Sequence, residues 1–365
     1  MSVGRRALLA VALAVALVGP GAIAHAATFL RGADLSSLPQ VEAGGAVFRE
    51  GRARVDAITL LQRRGVNAVR LRLWHSPPDG TCGLDATLAM AQRLKRAGLP
   101  VLLDLHYSDT WADPGHQLKP RAWADTPHEA LRDSVRAYTR DVVAAFRLAG
   151  AMPAQLQLGN EIGNGLLWPE GRIDRGAASA AAWARAAELL TSAAQGAREG
   201  AAGQPLCLML HYEGGGNVAG AADCFGHMTA AGVPFDDIGL SYYPWWHGSL
   251  AALAQTIAQL HQRFGRPVTI VETAYPWSLG WWDDTHNVVG SPSQLVAGFP
   301  ATPQGQRAFM RALMRLARRT PGCAGVYYWE PAWVSAPRAG SPWENVTLFD
   351  STGAALPALK EFGHK

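Results

Sequence analysis

Leu156-Gln-Leu-Gly-Asn-Glu-Ile-Gly-Asn-Gly-Leu-Leu-Trp-Pro169 opens with a short apolar run, Leu156 to Leu158, of buried-strand character. The run breaks at Gly159, and the chain then presents Asn160 and Glu161 side by side. Much further on, Pro267-Val-Thr-Ile-Val-Glu272 reads the same way: a short β-branched run ending in a glutamate. One carboxylate at a strand end is ordinarily a surface group. Two of them, each closing a buried strand and one flanked by an amide, form a pattern that calls for a common architecture.

Working outward, strand-like runs alternate with helical ones along the whole chain. Thr28–Asp34, Val66–Trp74 and Pro100–His106 read as strands before the central stretch. Leu206–His211, Asp237–Tyr242, Pro267–Glu272 and Gly325–Glu330 read as strands after it. Between them, helices are expected over Arg52–Arg64, Leu84–Ala97, His128–Leu148, Ala177–Arg198, Val218–Ala231, Leu250–Phe264 and Pro303–Arg319, with a last short one over Ala354–Phe362. A repeated strand–helix order implies a parallel sheet with helical crossovers. Eight such units without a composition break predict an α/β fold, a single (β/α)8 barrel. An open doubly wound sheet is the alternative, but the Gly-rich phosphate loop expected after its first strand is missing. The long segment Tyr275–Thr302 after the seventh strand belongs among the βα loops that line a barrel's active face.

Composition sets further bounds. At 365 residues, 48% hydrophobic and 17% charged, the chain is expected to bury a large core. Arg5 and Arg6 precede an apolar run from Ala7 to Val18, and Ala24-His-Ala26 is an A-x-A cleavage site. Residues 1–26 therefore read as a secretory signal peptide, too short for a membrane span, and residues 27–365 as the barrel domain. The leader carries two arginines and no acid, so the formal charge falls from +4 to +2 without it. That near-neutral balance gives no electrostatic ground for a nucleic-acid or membrane partner. The chain is expected to be secreted, to the periplasm or the medium, and monomeric. Cys82, Cys207, Cys224 and Cys323 allow three disulfide pairings in an exported protein. Cys207 and Cys224, nearest in sequence, are the expected pair, with buried free thiols as the alternative.

Polar and aromatic side chains gather at the C-terminal strand ends, where barrel enzymes keep their active sites. They include Asp34, Arg72, Trp74, His106, Asp109, Trp111, Asn160, Glu161, His211, Tyr242, Tyr243, Trp245, Trp246, Glu272, Trp277, Trp329 and Glu330. Paired carboxylates across one bond, one protonated and one ionised, are what glycoside hydrolysis requires. Aromatic faces stack on the apolar faces of sugar rings, so a tryptophan-rich mouth suits a polysaccharide. Several of these tryptophans are expected simply to pack loops together. Other chemistries lack their spacing: there is no H-E-x-x-H for zinc and no G-x-S-x-G nucleophile elbow. Gly214–Gly216 lacks the Lys-Ser/Thr of a phosphate loop.

Three stretches carry a resemblance. Leu102-Leu-Asp-Leu-His-Tyr-Ser-Asp-Thr-Trp-Ala-Asp-Pro-Gly115, Gly159-Asn-Glu-Ile-Gly-Asn-Gly-Leu-Leu-Trp168 and Val271-Glu-Thr-Ala-Tyr-Pro-Trp277 resemble glycoside hydrolase family 53, the arabinogalactan endo-β-1,4-galactanases. So do Val47-Phe-Arg-Glu50 and Gly65–Trp74, and the similarity runs through essentially the whole mature chain. The family usually carries Asn or Thr where this chain has Gly163, which is expected to tune the site rather than abolish it.

The resemblance implies a retaining (β/α)8 enzyme that cuts internal β-1,4-galactosyl bonds in pectin side chains. Glu161 would be the acid/base and Glu272 the nucleophile, about 5–5.5 Å apart. Asn160 would hydrogen-bond the sugar 2-OH, and Arg72 would keep Glu272 ionised. His106 and Tyr242 would orient the pair and the sugar. Asp109 falls in the family's most specific motif and is expected near the substrate. Trp329 would floor the subsite of the attacked sugar, with Trp111 lining its neighbour. No cofactor is expected. In the loop Asp283–Asn287 some bacterial members hold calcium; a solvated loop is the expected reading here, with calcium the alternative. The rival functions are another β-glycanase of the same clan, a mannanase or xylanase, and a non-catalytic carbohydrate-binding barrel.

Overall fold

The computed structural model describes residues 28–363, so the signal-peptide reading and its cleavage site lie outside the described residues. Eight parallel strands close a barrel: β1 (Leu30–Asp34), β2 (Ala68–Leu73), β3 (Val101–Leu105), β4 (Gln155–Leu158), β5 (Cys207–Tyr212), β6 (Asp237–Ser241), β7 (Val268–Glu272) and β8 (Cys323–Tyr328). Each pairs with its sequence neighbours, and β8 returns to β1 through Leu30 opposite Gly325 and Ala33 opposite Tyr328. The expected (β/α)8 barrel is the observed one, and each expected strand lies within two residues of its place.

Alternation along the strands builds two cores. On β2, Val69, Leu71 and Leu73 point outward into the main hydrophobic layer beneath the helices. Ala68 points inward, where it meets Leu102, Met209, Val271 and Tyr327 in a small apolar plug. Above that plug the interior turns polar, because Arg70, Asp104, Gln157 and His211 occupy the inward positions and are buried. The polar layer lies toward the C-terminal strand ends.

One irregularity aims a key side chain. Leu240 pairs with Ile270, but Ser241 pairs with Glu272, so β7 carries an extra residue. Strict alternation after the inward Val271 would turn Glu272 out to the helix layer. The bulge absorbs that half-period and lets Val271 and Glu272 both face the barrel interior.

The helices are α1 (Leu38–Ala43), α2 (Ala57–Arg63), α3 (Leu84–Arg96), α4 (His128–Leu148), α5 (Ala180–Ala201), α6 (Val218–Ala230), α7 (Pro244–His247), α8 (Leu250–Phe264) and α9 (Pro303–Arg319). On α9, Phe309, Met310, Leu313, Met314 and Ala317 bury one face while arginines occupy the other. The helix expected from Arg52 begins only at Ala57. Asp56 caps it by accepting from the Thr59 amide at 2.7 Å, and Ala53–Arg54 pairs instead with Arg49–Glu50 in a short antiparallel ribbon. The final element is a 3₁₀ helix, Pro357–Phe362. Helices α4 and α5 approach so closely that a Cβ on Gly196 would lie 2.1 Å from the Arg136 carbonyl oxygen.

All four cysteines are free thiols, which corrects the expected Cys207–Cys224 pair. Cys207 opens β5 while Cys224 is buried on α6 in the layer between helix and sheet. Short sequence separation does not bring their side chains together, because the crossover between them spans a strand, a loop and half a helix. Among the described residues, no helix is long and apolar enough to cross a membrane.

Candidate active site

A cleft of about 500 Å³ opens at the C-terminal ends of the strands, and Glu161 and Glu272 both line it. His106, Trp111, Asp113, Asn160, Glu213, Tyr243, Trp246, His247, Trp329, Trp333 and Trp343 are among its other walls. Glu161 follows β4 with φ +49°, a left-handed conformation uncommon for a residue bearing a side chain. Such strain persists where the surroundings over-determine it, commonly at active sites. Gln117 helps, donating to the Asn160 carbonyl at 2.7 Å and the Glu161 carbonyl at 3.2 Å.

The two carboxyls have unlike surroundings. Burial and the nearby charge of Glu272 push Glu161 well above the usual carboxylate range, with Glu213 adding to the effect. Among the described residues, the only side chain that hydrogen-bonds its carboxyl is Ser241, whose Oγ lies 2.6 Å from Oε1. Burial also raises Glu272, but two groups pull it back: the Arg70 guanidinium, with Nη1 2.9 Å from Oε1, and the Tyr243 hydroxyl, donating to Oε2 at 2.9 Å. Glu161 therefore keeps its proton to higher pH than Glu272 does. Divergent surroundings of this kind assign acid and base within a carboxyl pair.

Arg70 is the hub beneath the pair. It is 1% exposed and reaches Asp34 and Asp104 at 2.8 Å each, besides Glu272. Its Nη2 also donates to Asn160 Oδ1 at 2.9 Å. Since Asn160 Nδ2 donates to the Ala112 carbonyl at 2.8 Å, its amide orientation is fixed and one N–H remains for a ligand. Burial raises Asp104, but Arg70 and then His106 more than offset it and hold this carboxyl below its ordinary value. His106 Nε2 sits 2.9 Å from Asp104, while Nδ1 accepts from the Ala112 amide at 3.0 Å. Both its nitrogens are thus committed, and its ring edge forms part of the cleft wall.

Of the nine anticipated side chains, Glu161, Glu272, Asn160 and His106 meet in this way, and the other five behave variously. Trp111 and Trp329 line the cleft with ring centroids 5.8 Å apart, and Trp333 stacks on Trp111 at 6.1 Å. Arg72 does not reach Glu272. It lies one layer higher on β2 and pairs with Glu330 at 2.6 Å and Ser37 Oγ at 2.8 Å. Its guanidinium lies 4.1 Å from the Trp111 ring centroid, so it supports that ring, and Arg70 takes the role expected of Arg72. Tyr242 is fully buried and donates to the Gly248 carbonyl at 2.9 Å, away from the cleft. Alternation after the inward Ser241 turns Tyr242 out and Tyr243 in, and Tyr243 makes the contact to Glu272. Asp109 staples loops, accepting from the amides of Ser76 at 3.0 Å and Arg121 at 2.9 Å, and does not line the cleft.

Sequence reading also missed Glu213, Ser241 and Gln157. Gly163 explains the first. A Cβ there would lie 2.1 Å from Glu213 Oε1, and the Gly163 amide donates to Oε2 at 3.0 Å. The bare backbone at 163 makes room for a further carboxyl group in the cleft wall. In the loop expected as an alternative calcium site, the Asp283 carboxylate already accepts from the amides of Thr285 at 2.6 Å and Ser341 at 2.8 Å. Among the described residues no three His, Cys, Asp or Glu side chains converge as metal ligands.

This chain is similar to several known proteins over nearly its full length. An arabinogalactan endo-β-1,4-galactanase of Cellvibrio japonicus is 37% identical over 371 residues, covering 98% of this chain and 96% of that one. The catalytic domain of a family 53 glycoside hydrolase from Ignisphaera aggregans superposes with a TM-score of 0.85 at 34% identity, covering 92% of this chain and 95% of that one. A fungal β-1,4-galactanase superposes with a TM-score of 0.79 at 32% identity, over 93% of this chain and 100% of its own. The model of glycosyl hydrolase family 53 matches residues 30–362, from the first barrel strand to the last helical turn, and the chain with its cleft carboxyls belongs to that family of glycoside hydrolases.

Proposed function

We propose that the protein is an exported, retaining endo-β-1,4-galactanase in which Glu161 is the acid/base and Glu272 the nucleophile. The observation that carries the reading is the convergence of these two carboxyls, in unlike surroundings, on one tryptophan-walled cleft. The galactanase names of the full-length relatives support the substrate. The leader with Arg5, Arg6 and Ala24-His-Ala26 supports export.

In this mechanism Glu161, protonated, gives its proton to the leaving glycosidic oxygen as Glu272 attacks the anomeric carbon. The Arg70 guanidinium and the Tyr243 hydroxyl keep Glu272 ionised before attack. The remaining Asn160 N–H is placed to donate to the sugar 2-OH, a contact that tightens as positive charge develops on the ring. Glu161, now a carboxylate, then takes a proton from the water that cleaves the galactosyl–enzyme ester. Trp111, Trp329 and Trp333 offer ring faces for successive sugars.

The test is reducing-sugar release from linear β-1,4-galactan, run beside β-mannan, xylan and β-glucan, with Glu272→Ala as control. Cleavage of galactan alone, lost in the variant, is expected. Cleavage of mannan or xylan instead would keep the barrel and the carboxyl pair but overturn the substrate. Binding of galactan without cleavage by the wild-type protein would make this a carbohydrate-binding barrel.

A further inference from the structure

Behind Glu161 the structure holds a line of fully buried polar groups that the mechanism above leaves unused. Ser241 Oγ lies 2.6 Å from Glu161 Oε1 and 2.9 Å from His211 Nε2. His211 Nδ1 lies 3.0 Å from Gln157 Nε2, which in turn donates to Asp104 Oδ1 at 2.6 Å. Ser241, His211, Gln157 and Asp104 are each 0% exposed, so no solvent partner competes.

Donor and acceptor capacities give this line a direction. The Asp104 carboxylate only accepts, so Gln157 must turn its amide N–H groups toward it. The second Gln157 N–H then faces His211 Nδ1 at 3.0 Å, the Gly159 carbonyl at 3.1 Å and Asn160 Oδ1 at 3.2 Å. The Glu161 backbone amide also points at Nδ1, at 3.4 Å. Two donors thus point at Nδ1 against one acceptor, Asn160 Oδ1 at 3.0 Å, which already accepts from Arg70, and this balance favours an unprotonated Nδ1. Burial and the Arg70 charge keep this imidazole neutral, so its single hydrogen sits on Nε2. It donates to Ser241 Oγ, and Ser241 has one hydrogen left, which goes to Glu161 Oε1. Glu161 Oε2 makes no hydrogen bond with a described residue.

We propose that Ser241 and His211 are positioning residues that reserve Glu161 Oε1 as an acceptor and so place the acid's proton on Oε2, the oxygen left open for the leaving group. The proposal deepens the reading of Glu161 as acid/base and rests on it. With the opposite tautomer, Ser241 would donate to His211, and Glu161 would place its proton on Oε1, against the protein and away from the substrate. The donors from Gln157 and the Glu161 amide at Nδ1 oppose that arrangement. Because Arg70 binds both Asp104 and Glu272, one guanidinium orients the proton of the acid and holds the charge of the nucleophile.

Two measurements decide it. The first compares kcat/KM for β-1,4-galactan with that for a dinitrophenyl β-galactobioside, whose leaving group departs without protonation. Ser241→Ala is expected to lose on the order of tenfold or more on galactan and much less on the aryl substrate. Its alkaline limb on galactan should move to higher pH, because a donor to the Glu161 carboxylate has been removed. Equal losses on both substrates, or a limb that stays or moves down as water enters, would reduce Ser241 to packing. The second is the ¹⁵N spectrum of the resting full-length protein labelled at histidine, with His211 assigned by its loss in His211→Gln. A neutral Nε2–H imidazole is expected, and an Nδ1–H or protonated ring overturns the proposal. Wild-type inactivity on both galactosides would sink the galactanase reading instead, and the imidazole spectrum judges the donor chain in either case.

Discussion

Arg70 and Glu213 show how single side chains set the titration of the pair. Weakening the hold of Arg70 on Glu272 removes the cause that lowers its pKa, so Arg70→Lys should move the acidic limb of the rate profile to higher pH. Arg70→Met strips the partner from three buried carboxylates and should cost about 3–5 kcal/mol of stability, read by denaturant unfolding. The charge of Glu213 raises Glu161, so Glu213→Gln should let Glu161 ionise earlier and move the alkaline limb to lower pH. An unmoved limb in either conservative variant would contradict these couplings. That both glutamates, Asn160, His106, Trp111 and Trp329 would come to the barrel mouth was legible because they stand at strand ends or in distinctive motifs. Arg70 was passed over for Arg72 although both face inward two residues apart. Which of the two reaches Glu272 depends on height within the barrel, and a period of two does not encode height. Tyr242 and Tyr243 posed the converse problem: adjacent identical side chains whose phase only the Ser241 position settles.

The bulge in β7 is the element on which the site depends, since it turns Glu272 inward after Val271. Its sequence, Val-Thr-Ile-Val-Glu, alternates no differently from a regular strand, so nothing local announces it. Strands and long helices were readable because apolar period and capping residues agree there, as at Ser249 before α8 and Gly265 after it. The short ribbon at Arg49–Arg54 was not, because its pairing is fixed by contacts outside the segment. The close crossing of α4 and α5 yields a test of packing. Gly196→Ala places a methyl against the Arg136 backbone carbonyl, which cannot swing aside, and should destabilise the fold by about 1–3 kcal/mol without changing kcat/KM. A neutral effect on the unfolding midpoint would mean that the two helices are free to separate.

For the whole molecule, closure of eight strands carries the stability without cross-links. Burial pushes the Cys82 thiol up to about 11 and the Cys207 thiol up to about 12, so neither is poised as a thiolate. Denatured protein should therefore titrate with four free thiols, and added reductant should leave its thermal midpoint unchanged; a midpoint that falls with reductant would reveal a bridge. The barrel was legible from the count of strand–helix units. The division of labour at its mouth was not, because it arises where eight loops distant in sequence meet. The central claim joins a galactoside substrate, a retaining mechanism and one named nucleophile, and a single experiment addresses all three. The protein is inactivated with a dinitrophenyl 2-fluoro-galactobioside, digested and examined by mass spectrometry. One galactobiosyl adduct on the peptide carrying Glu272 is predicted. An adduct on another carboxylate, or none from an enzyme that still cleaves galactan, would contradict the account.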